Sequence, residues 1–195
     1  MNDLSPIGTS LSRGTPVTAT AWRAAHEQKI LAARDVLDVA IIRPAMVYGR
    51  GGWIWDTWWS PILAARTASG NAKFQIPAPS DARPGVIHVD DVVSGMHAIV
   101  DRIDGRLGTW PVFDLIAETC SVTEIIEAFK LAVGVKAEVE YIGAGDNPFY
   151  QAMGIKANND GGRASTVLGW QPKIREFLLK MPIYATAFEA SQGAK

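Results

Sequence analysis

The sequence predicts an α/β fold, and three observations carry that prediction. A helix-favouring stretch from about Thr20 to Arg34 is followed at once by Asp38 to Arg43, a short apolar and β-branched run that reads as a strand buried on both faces. A second short strand at Val86-Ile87-His88 runs directly into a helix whose apolar residues Val92, Val93, Met96, Ile99 and Val100 recur at i, i+3/i+4 and i+7. A third strand, Pro111 to Ile116, precedes another helix, so strands and helices alternate as they do in α/β units.

The remaining elements follow in order. Residues 1–18 are rich in Ser, Thr, Gly and Pro without a period and read as irregular. Gly49 to Gly52 is a turn, and Asp56 to Ser69 can form a helix that tolerates Pro61 only near its first turn. Lys73 to Pro77 is a short strand candidate. Asp90 is expected to cap the helix that follows His88. Ser121-Val122-Thr123-Glu124 has the form of a capping box, and Gly134 is a natural helix stop. Ala137 to Ile142 alternates Val139 and Tyr141 with Glu138 and Glu140, as a half-exposed strand does. Residues 143–162 read as loop, and a last helix is expected from about Ile174.

Composition narrows the function. A chain of 195 residues suggests one domain, or one and a fraction, and a net charge of −1 offers no electrostatic case for nucleic acid or an anionic membrane. The single Cys120 excludes an internal disulfide and a cysteine zinc site. No apolar run approaches the roughly 20 residues of a membrane span, and the first residues lack a signal-peptide layout. The expectation is a cytoplasmic protein with a small-molecule substrate. Four of the seven Trp fall at Trp53, Trp55, Trp58 and Trp59, which marks that stretch as a pocket lining, a core element or an exposed patch.

Four segments, in order, carry a resemblance: the helix with Glu27; Arg43-Pro44-Ala45-Met46-Val47-Tyr48-Gly49; Val86-Ile87-His88-Val89-Asp90-Asp91-Val92; and Leu168-Gly169-Trp170-Gln171-Pro172. Together they resemble the extended short-chain dehydrogenase/reductase family, the NAD-dependent epimerase/dehydratase group, over about residues 16–180. The resemblance implies an incomplete Rossmann-like parallel sheet plus a small α+β substrate-binding lobe. Residues 19–195 would be the C-terminal part of an NAD(P)-binding domain with the lobe interleaved. It implies that Pro44, Ala45 and Val47 lie beside the nicotinamide of NAD or NADP. Met46, Trp53, Trp55, Arg83 and His88 would then face the substrate. Met46 stands where relatives acting on nucleotide sugars often carry Asn, so a small, fairly apolar substrate is expected.

Two family features are missing from the sequence. No Gly-x-x-Gly-x-x-Gly loop occurs, and that loop lets backbone amides at a helix N-terminus approach a pyrophosphate. No Tyr-x-x-x-Lys occurs either; the positions set by Glu27 hold Ala19 and Arg23, or Trp22 and His26 with a shift of three. The lysine of that pair eases proton transfer from the tyrosine during hydride transfer. The chain is therefore expected to be a truncated NAD(P)-dependent epimerase/dehydratase- or reductase-like protein, inactive on its own. The alternative is a non-catalytic ligand-binding or regulatory module of the same fold. A homo-oligomer, or association through an exposed sheet edge, is a further expectation.

Several residues admit a sharper and a plainer role. His88 is either a polar pocket residue or a histidine satisfied by local backbone. Asp90 and Asp91 are either an acid/base pair or helix-start carboxylates, the second being the simpler account. His26 is a base or a surface residue, and Arg83 an anion clamp or a solvated loop arginine. Arg43 at a strand end is expected to pair with a carboxylate or a carbonyl.

Overall fold

A computed structural model describes residues 20–51, 53–66, 73–156 and 160–193; the segment 1–18 lies outside them. The helix α1 (Ala21–Ala32) buries only Ala24 and Glu27 and ends in a tight turn at Ala33–Asp35. Strand β1 (Ile41–Pro44) pairs in parallel with β5 (Val112–Leu115), Ile41 opposite Val112 and Pro44 opposite Leu115. The chain stays extended through Ala45, whose N–H donates to the Leu115 carbonyl at 2.9 Å. It then becomes β2 (Met46–Tyr48) and changes partner, pairing in parallel with β4 (Gly85–His88). On the far side of β4 lies the antiparallel β6 (Glu118–Thr119). A third, separate parallel pair joins β3 (Lys73–Ile76) to β7 (Glu138–Tyr141), whose two glutamates are exposed as the alternation predicts.

Strand alternation sorts the residues of β1 and β5 onto two faces. Arg43 and Asp114 share the face turned toward Glu27 of α1. Ile42 and Phe113 point the other way, into a core shared with α3 (Val89–Val100), α6 (Gly162–Leu168), Ile99, Leu168 and Trp170. This is a three-layer α/β arrangement around a two-stranded parallel sheet.

The larger core belongs to the second lobe. Its α2 (Asp56–Arg66), α4 (Val122–Val133) and α7 (Met181–Gly193) pack aromatic residues against Tyr48 of β2. Trp55 stacks on Trp59 at 4.9 Å between ring centres, and Trp59 stacks on Phe129 at 4.5 Å. Phe188 of α7 meets the edge of that stack at 5.2 Å. Offset stacking and edge contacts of this kind add about 1 kcal/mol each beyond area burial. Among the described Trp side chains of the cluster, Trp55, Trp58 and Trp59 are therefore core.

Some boundaries differ from the sequence expectation. Pro61 is the sixth residue of α2, past the first turn, where it withholds one helical N–H. The stretch 143–162 holds a short helix, α5 (Pro148–Met153), started by Asn147, whose side chain accepts from the Phe149 and Tyr150 amides. The last helix starts at Met181 and not near Ile174, because the intervening backbone is committed to contacts outside any helix. Among the described residues no helix is long and apolar enough to cross a membrane.

The capping box at α4 forms as read: Ser121 Oγ accepts from the Glu124 amide at 3.1 Å, and Glu124 accepts from the Ser121 amide at 2.7 Å. Gly134 closes the helix at φ +72°, a conformation that suits glycine. These bonds hold the Glu124 carboxyl below its ordinary value, the Ser121 amide being the first cause and its hydroxyl the second. A depressed folded value means the contribution is present above the unfolded value near ~4.3 and is lost as pH falls through the folded one. Ser121→Ala is expected to cost about 1 kcal/mol, read from urea unfolding at neutral pH. The gap to wild type should narrow as the pH is lowered through that window. Separately, burial pushes the Cys120 thiol up to about 12, with the Glu118 and Glu124 charges adding to it. Cys120 should resist a thiol reagent at pH 8 in the folded protein and react at once in denaturant.

Candidate functional site

The site is built where β1 becomes β2. In an α/β sheet, ligands collect outside the carboxyl ends of parallel strands, at the point where the connectivity changes direction. Here the carboxyl end of β1 is Pro44, which is exposed, and Ala45, Met46 and Val47 beyond it are half-buried. This four-residue rim lies between the small parallel sheet and the aromatic lobe.

Three anchors fix the rim. Below it, Arg43 places Nη2 2.7 Å from Glu27 Oε2 and Nε 3.2 Å from the same oxygen, tying β1 to α1. Nη1 of Arg43 lies 3.8 Å from Asp114 Oδ1, so the guanidinium also faces β5. All three side chains are largely buried, which is where removal of one partner from an ion pair costs most. The expectation for Arg43 is met with two carboxylates.

Beyond the rim, Tyr48 is fully buried and its hydroxyl donates to the Ile174 carbonyl at 3.3 Å. Burial first, then the Tyr184 hydroxyl, raises Tyr48 above the ordinary phenol range, so it is not poised to exchange a proton. Tyr184 is raised as well, again chiefly by burial.

The third anchor is the helix start at His88. The cap of α3 is His88 and not Asp90: its Nδ1 accepts from the Asp90 amide at 3.1 Å. With Nδ1 committed as an acceptor, the neutral ring carries its proton on Nε2. That edge faces Gly49, and a Cβ there would sit 2.3 Å from Nε2. Gly49, at φ +91°, is thus required by its backbone and by the imidazole beside it. Asp90 instead forms an exposed pair with Arg50, which lowers its carboxyl.

Asp91 has a role the sequence did not reveal. It is buried, and its two oxygens accept from the Lys173 amide at 2.9 Å and the Ile174 amide at 2.8 Å. Glu118 does the same for the Phe177 amide at 3.0 Å. Trp170 donates from its indole to Ser94 Oγ at 2.8 Å. The Trp170–Phe177 segment is therefore strapped across the start of α3 by polar contacts. The paired carboxylates Asp90 and Asp91 point to different partners and form no acid/base couple.

The other expected site residues scatter. Trp55 is in the core and donates to the Val47 carbonyl at 2.9 Å, so it supports the rim from beneath. Arg83 is exposed and pairs its backbone with Lys156, beside the isolated Asp81–Lys156 ion pair. Trp53 leads into α2 on the tight turn Trp53–Trp55. Met46 packs against the aromatic core, and His88 lies edge-on to Tyr48 at 5.2 Å. Of α1, Trp22 is exposed with His26 beside it at 5.9 Å, a pair with no phenol and no ammonium. Among the described residues no group of three His, Cys, Asp or Glu side chains could hold a metal ion.

No protein-family model and no curated protein sequence matches the chain. Solved structures do match, with TM-scores near two-thirds. The dTDP-glucose 4,6-dehydratase from Bacillus anthracis, solved with NAD, matches at TM-score 0.68 and 17% identity, over 95% of this chain and 56% of that one. RMD from Pseudomonas aeruginosa, solved with NADPH, matches at 0.65 and 16% identity, over 95% and 61%. An L-threonine dehydrogenase from Phytophthora infestans matches at 0.66 and 14% identity, over 93% and 59%. The chain shares the fold of these solved structures and spans about three-fifths of their length.

Asp91 is the residue on which this arrangement can be tested. Asp91→Ala leaves two part-buried amides without their acceptor and is expected to destabilise the fold by about 2 kcal/mol. Asp91→Asn, which keeps one acceptor oxygen, should lose less. Chemical denaturation of both variants checks the order, and equal, near-zero losses would contradict the strap.

Proposed function

We propose that the chain is the C-terminal portion of an NAD(P)-dependent epimerase/dehydratase- or reductase-like protein, acting on a small, fairly apolar substrate. The observation that carries the reading is the partner change at Ala45, which puts an extended rim of backbone at the carboxyl end of a parallel strand. On this reading Pro44, Ala45 and Val47 lie along a nicotinamide. Met46 and His88 face the substrate side. The half-buried Met46 among aromatic residues favours an apolar group over a sugar hydroxyl.

The residues present do not make a complete dinucleotide site. The sequence has no Gly-rich loop for a pyrophosphate, and the only tyrosine at the rim, Tyr48, is buried and bonded to backbone. No redox step is assigned to this chain. What it supplies is a shaped wall that orients a ring and keeps water from one side of it.

A second reading, a non-catalytic ligand-binding module, draws support from the sequence around α1, where Ala19 and Arg23, or Trp22 and His26 with a shift of three, stand at the positions expected to carry Tyr and Lys. Both readings hold that the chain alone does not capture the cofactor. Titration with NADH and NADPH, followed by quenching of the Trp emission, should show no saturable binding. Micromolar affinity for either would overturn the proposal that the wall lacks its phosphate-binding half. If the cofactor fails to bind, saturable quenching by a small apolar ligand would favour the module.

A further inference from the structure

We propose that His88, Asp90 and Arg50 form a proton-operated latch on the turn that follows β2: when His88 takes up a proton, the Asp90 carboxylate turns from Arg50 to the imidazolium and the turn is released. The turn is held in an unusual shape. Gly49, Arg50 and Gly51 lie at φ +91°, +50° and +87°, three left-handed residues in a row. The glycines adopt that shape freely, whereas Arg50 carries a Cβ and needs outside contacts to stay there. Two contacts serve. The Arg50 guanidinium donates from Nε and Nη2 to the two Asp90 oxygens, at 2.8 Å and 3.1 Å. The His88 ring lies against Gly49 so closely that a Cβ there would collide with it. The Arg50–Asp90 pair is exposed, and exposed pairs contribute little and exchange partners readily.

His88 and Asp90 are linked twice. In the neutral ring Nδ1 accepts from the Asp90 amide at 3.1 Å. Asp90 Oδ2, the oxygen that takes the Arg50 Nη2 bond, lies 3.8 Å from the same Nδ1. A proton arriving from solvent binds at the Nδ1 lone pair. The bond from the Asp90 amide is then lost, because both groups are donors, and the new Nδ1–H can donate to Oδ2. Asp90 is charged and ready for it, since the Arg50 hydrogen bonds hold its carboxyl below the ordinary range. The imidazolium sits at the N-terminus of α3, where positive charge is disfavoured, so it draws on a carboxylate that can swing toward it.

The other groups around the ring are committed elsewhere. Asp91 of α3 spends both oxygens on the Lys173 and Ile174 amides. Glu118 of β6 holds the Phe177 amide, and Tyr48 of β2 donates to the Ile174 carbonyl. Tyr184 of α7 faces the ring at 6.2 Å and, like Tyr48, is raised by burial, so both phenols stay neutral. Lys180 acts on Tyr184 and is bonded to Glu176 and to the Arg175 carbonyl. Asp90 is thus the carboxylate beside the ring whose present partner is replaceable. The latch uses only contacts among described residues and stands or falls apart from the functional reading of the rim.

Nitrogen-15 NMR of the full chain from about pH 8 to about pH 5, the interval in which histidines change charge, tests it. The expected result is that the Gly49, Arg50, Gly51 and Asp90 amide signals move together with the His88 ring nitrogens and share one midpoint. His88→Asn keeps a capping acceptor that does not titrate, so its turn signals should hold their starting positions throughout. That variant also distinguishes the His88 ring signals from those of His26 and His97. Asp90→Asn keeps the amide and removes the carboxylate, so its turn signals should be displaced from the outset and should not follow His88. Turn signals that stay in place while His88 titrates overturn the proposal. So do turn signals that move equally in His88→Asn or follow His88 unchanged in Asp90→Asn. A His88 ring that takes up no proton over the interval, or a wild-type spectrum that collapses as a whole, overturns it as well.

Discussion

The buried carboxylate of Asp91 is the constraint on which the rest of the molecule depends. Its two oxygens hold consecutive amides more than eighty residues further along the chain, and so decide where the C-terminal segment crosses α3. A buried carboxylate is tolerated only when its lone pairs are filled, and two backbone donors at bonding distance do that. Once the 173–174 backbone is fixed there, its carbonyl at Ile174 meets the Tyr48 hydroxyl, and Glu118 receives the Phe177 amide. Phe177 then packs on Tyr48 at 4.4 Å between rings, and α7 follows with Tyr184 and Phe188. One polar contact thus orders the path by which the last helix reaches the aromatic core.

The Arg43 cluster plays the corresponding part on the other lobe. Helix α1 buries little apolar surface, so its hold on β1 rests heavily on the Glu27–Arg43 pair. A largely buried pair of this sort contributes less to stability than to placement, because desolvation offsets much of the attraction. What it secures is the angle at which β1 arrives at Ala45. Asp91 from one side and Arg43 from the other thereby fix the two ends of a single extended segment. The rim is rigid because it is held at both ends and has Trp55 bonded beneath its middle.

Much of this was legible in the sequence, and what was not has a physical reason. The strand at 41–44, the capping box at Ser121 and the αL stop at Gly134 rest on local rules, in which a residue and its partner lie within four positions. The fold class followed from alternating elements and is that of the solved structures. The roles of His88 and Asp91 did not follow. Sequence chemistry favours an aspartate at a helix start, and only the backbone path shows that His88 reaches the cap first. The partner of Asp91 lies 82 residues away and leaves no local trace. The Trp cluster reads equally well as pocket or core until Phe129 and Phe188 are placed against it. The 174–180 stretch has helix-compatible composition, but its Ile174 and Phe177 amides are spent on Asp91 and Glu118, and Glu176 between them sits at φ +68°.

Rigidity and chemistry are separable in this fold. Every polar side chain that reaches the rim is already occupied with structure: Tyr48 with a carbonyl, His88 with an amide, Arg43 with two carboxylates. A group that catalyses proton transfer must be free to change its bonding at the reacting atom, and should titrate near the working pH. Tyr48 fails on both counts, since burial raises it and its proton is already donated. On the proposed function the rim would supply shape and exclusion of water, the properties that backbone and apolar side chains can provide. The reacting hydroxyl and the phosphate-binding amides call for exposed, adaptable groups, and those are what the Pro44–Gly49 segment lacks.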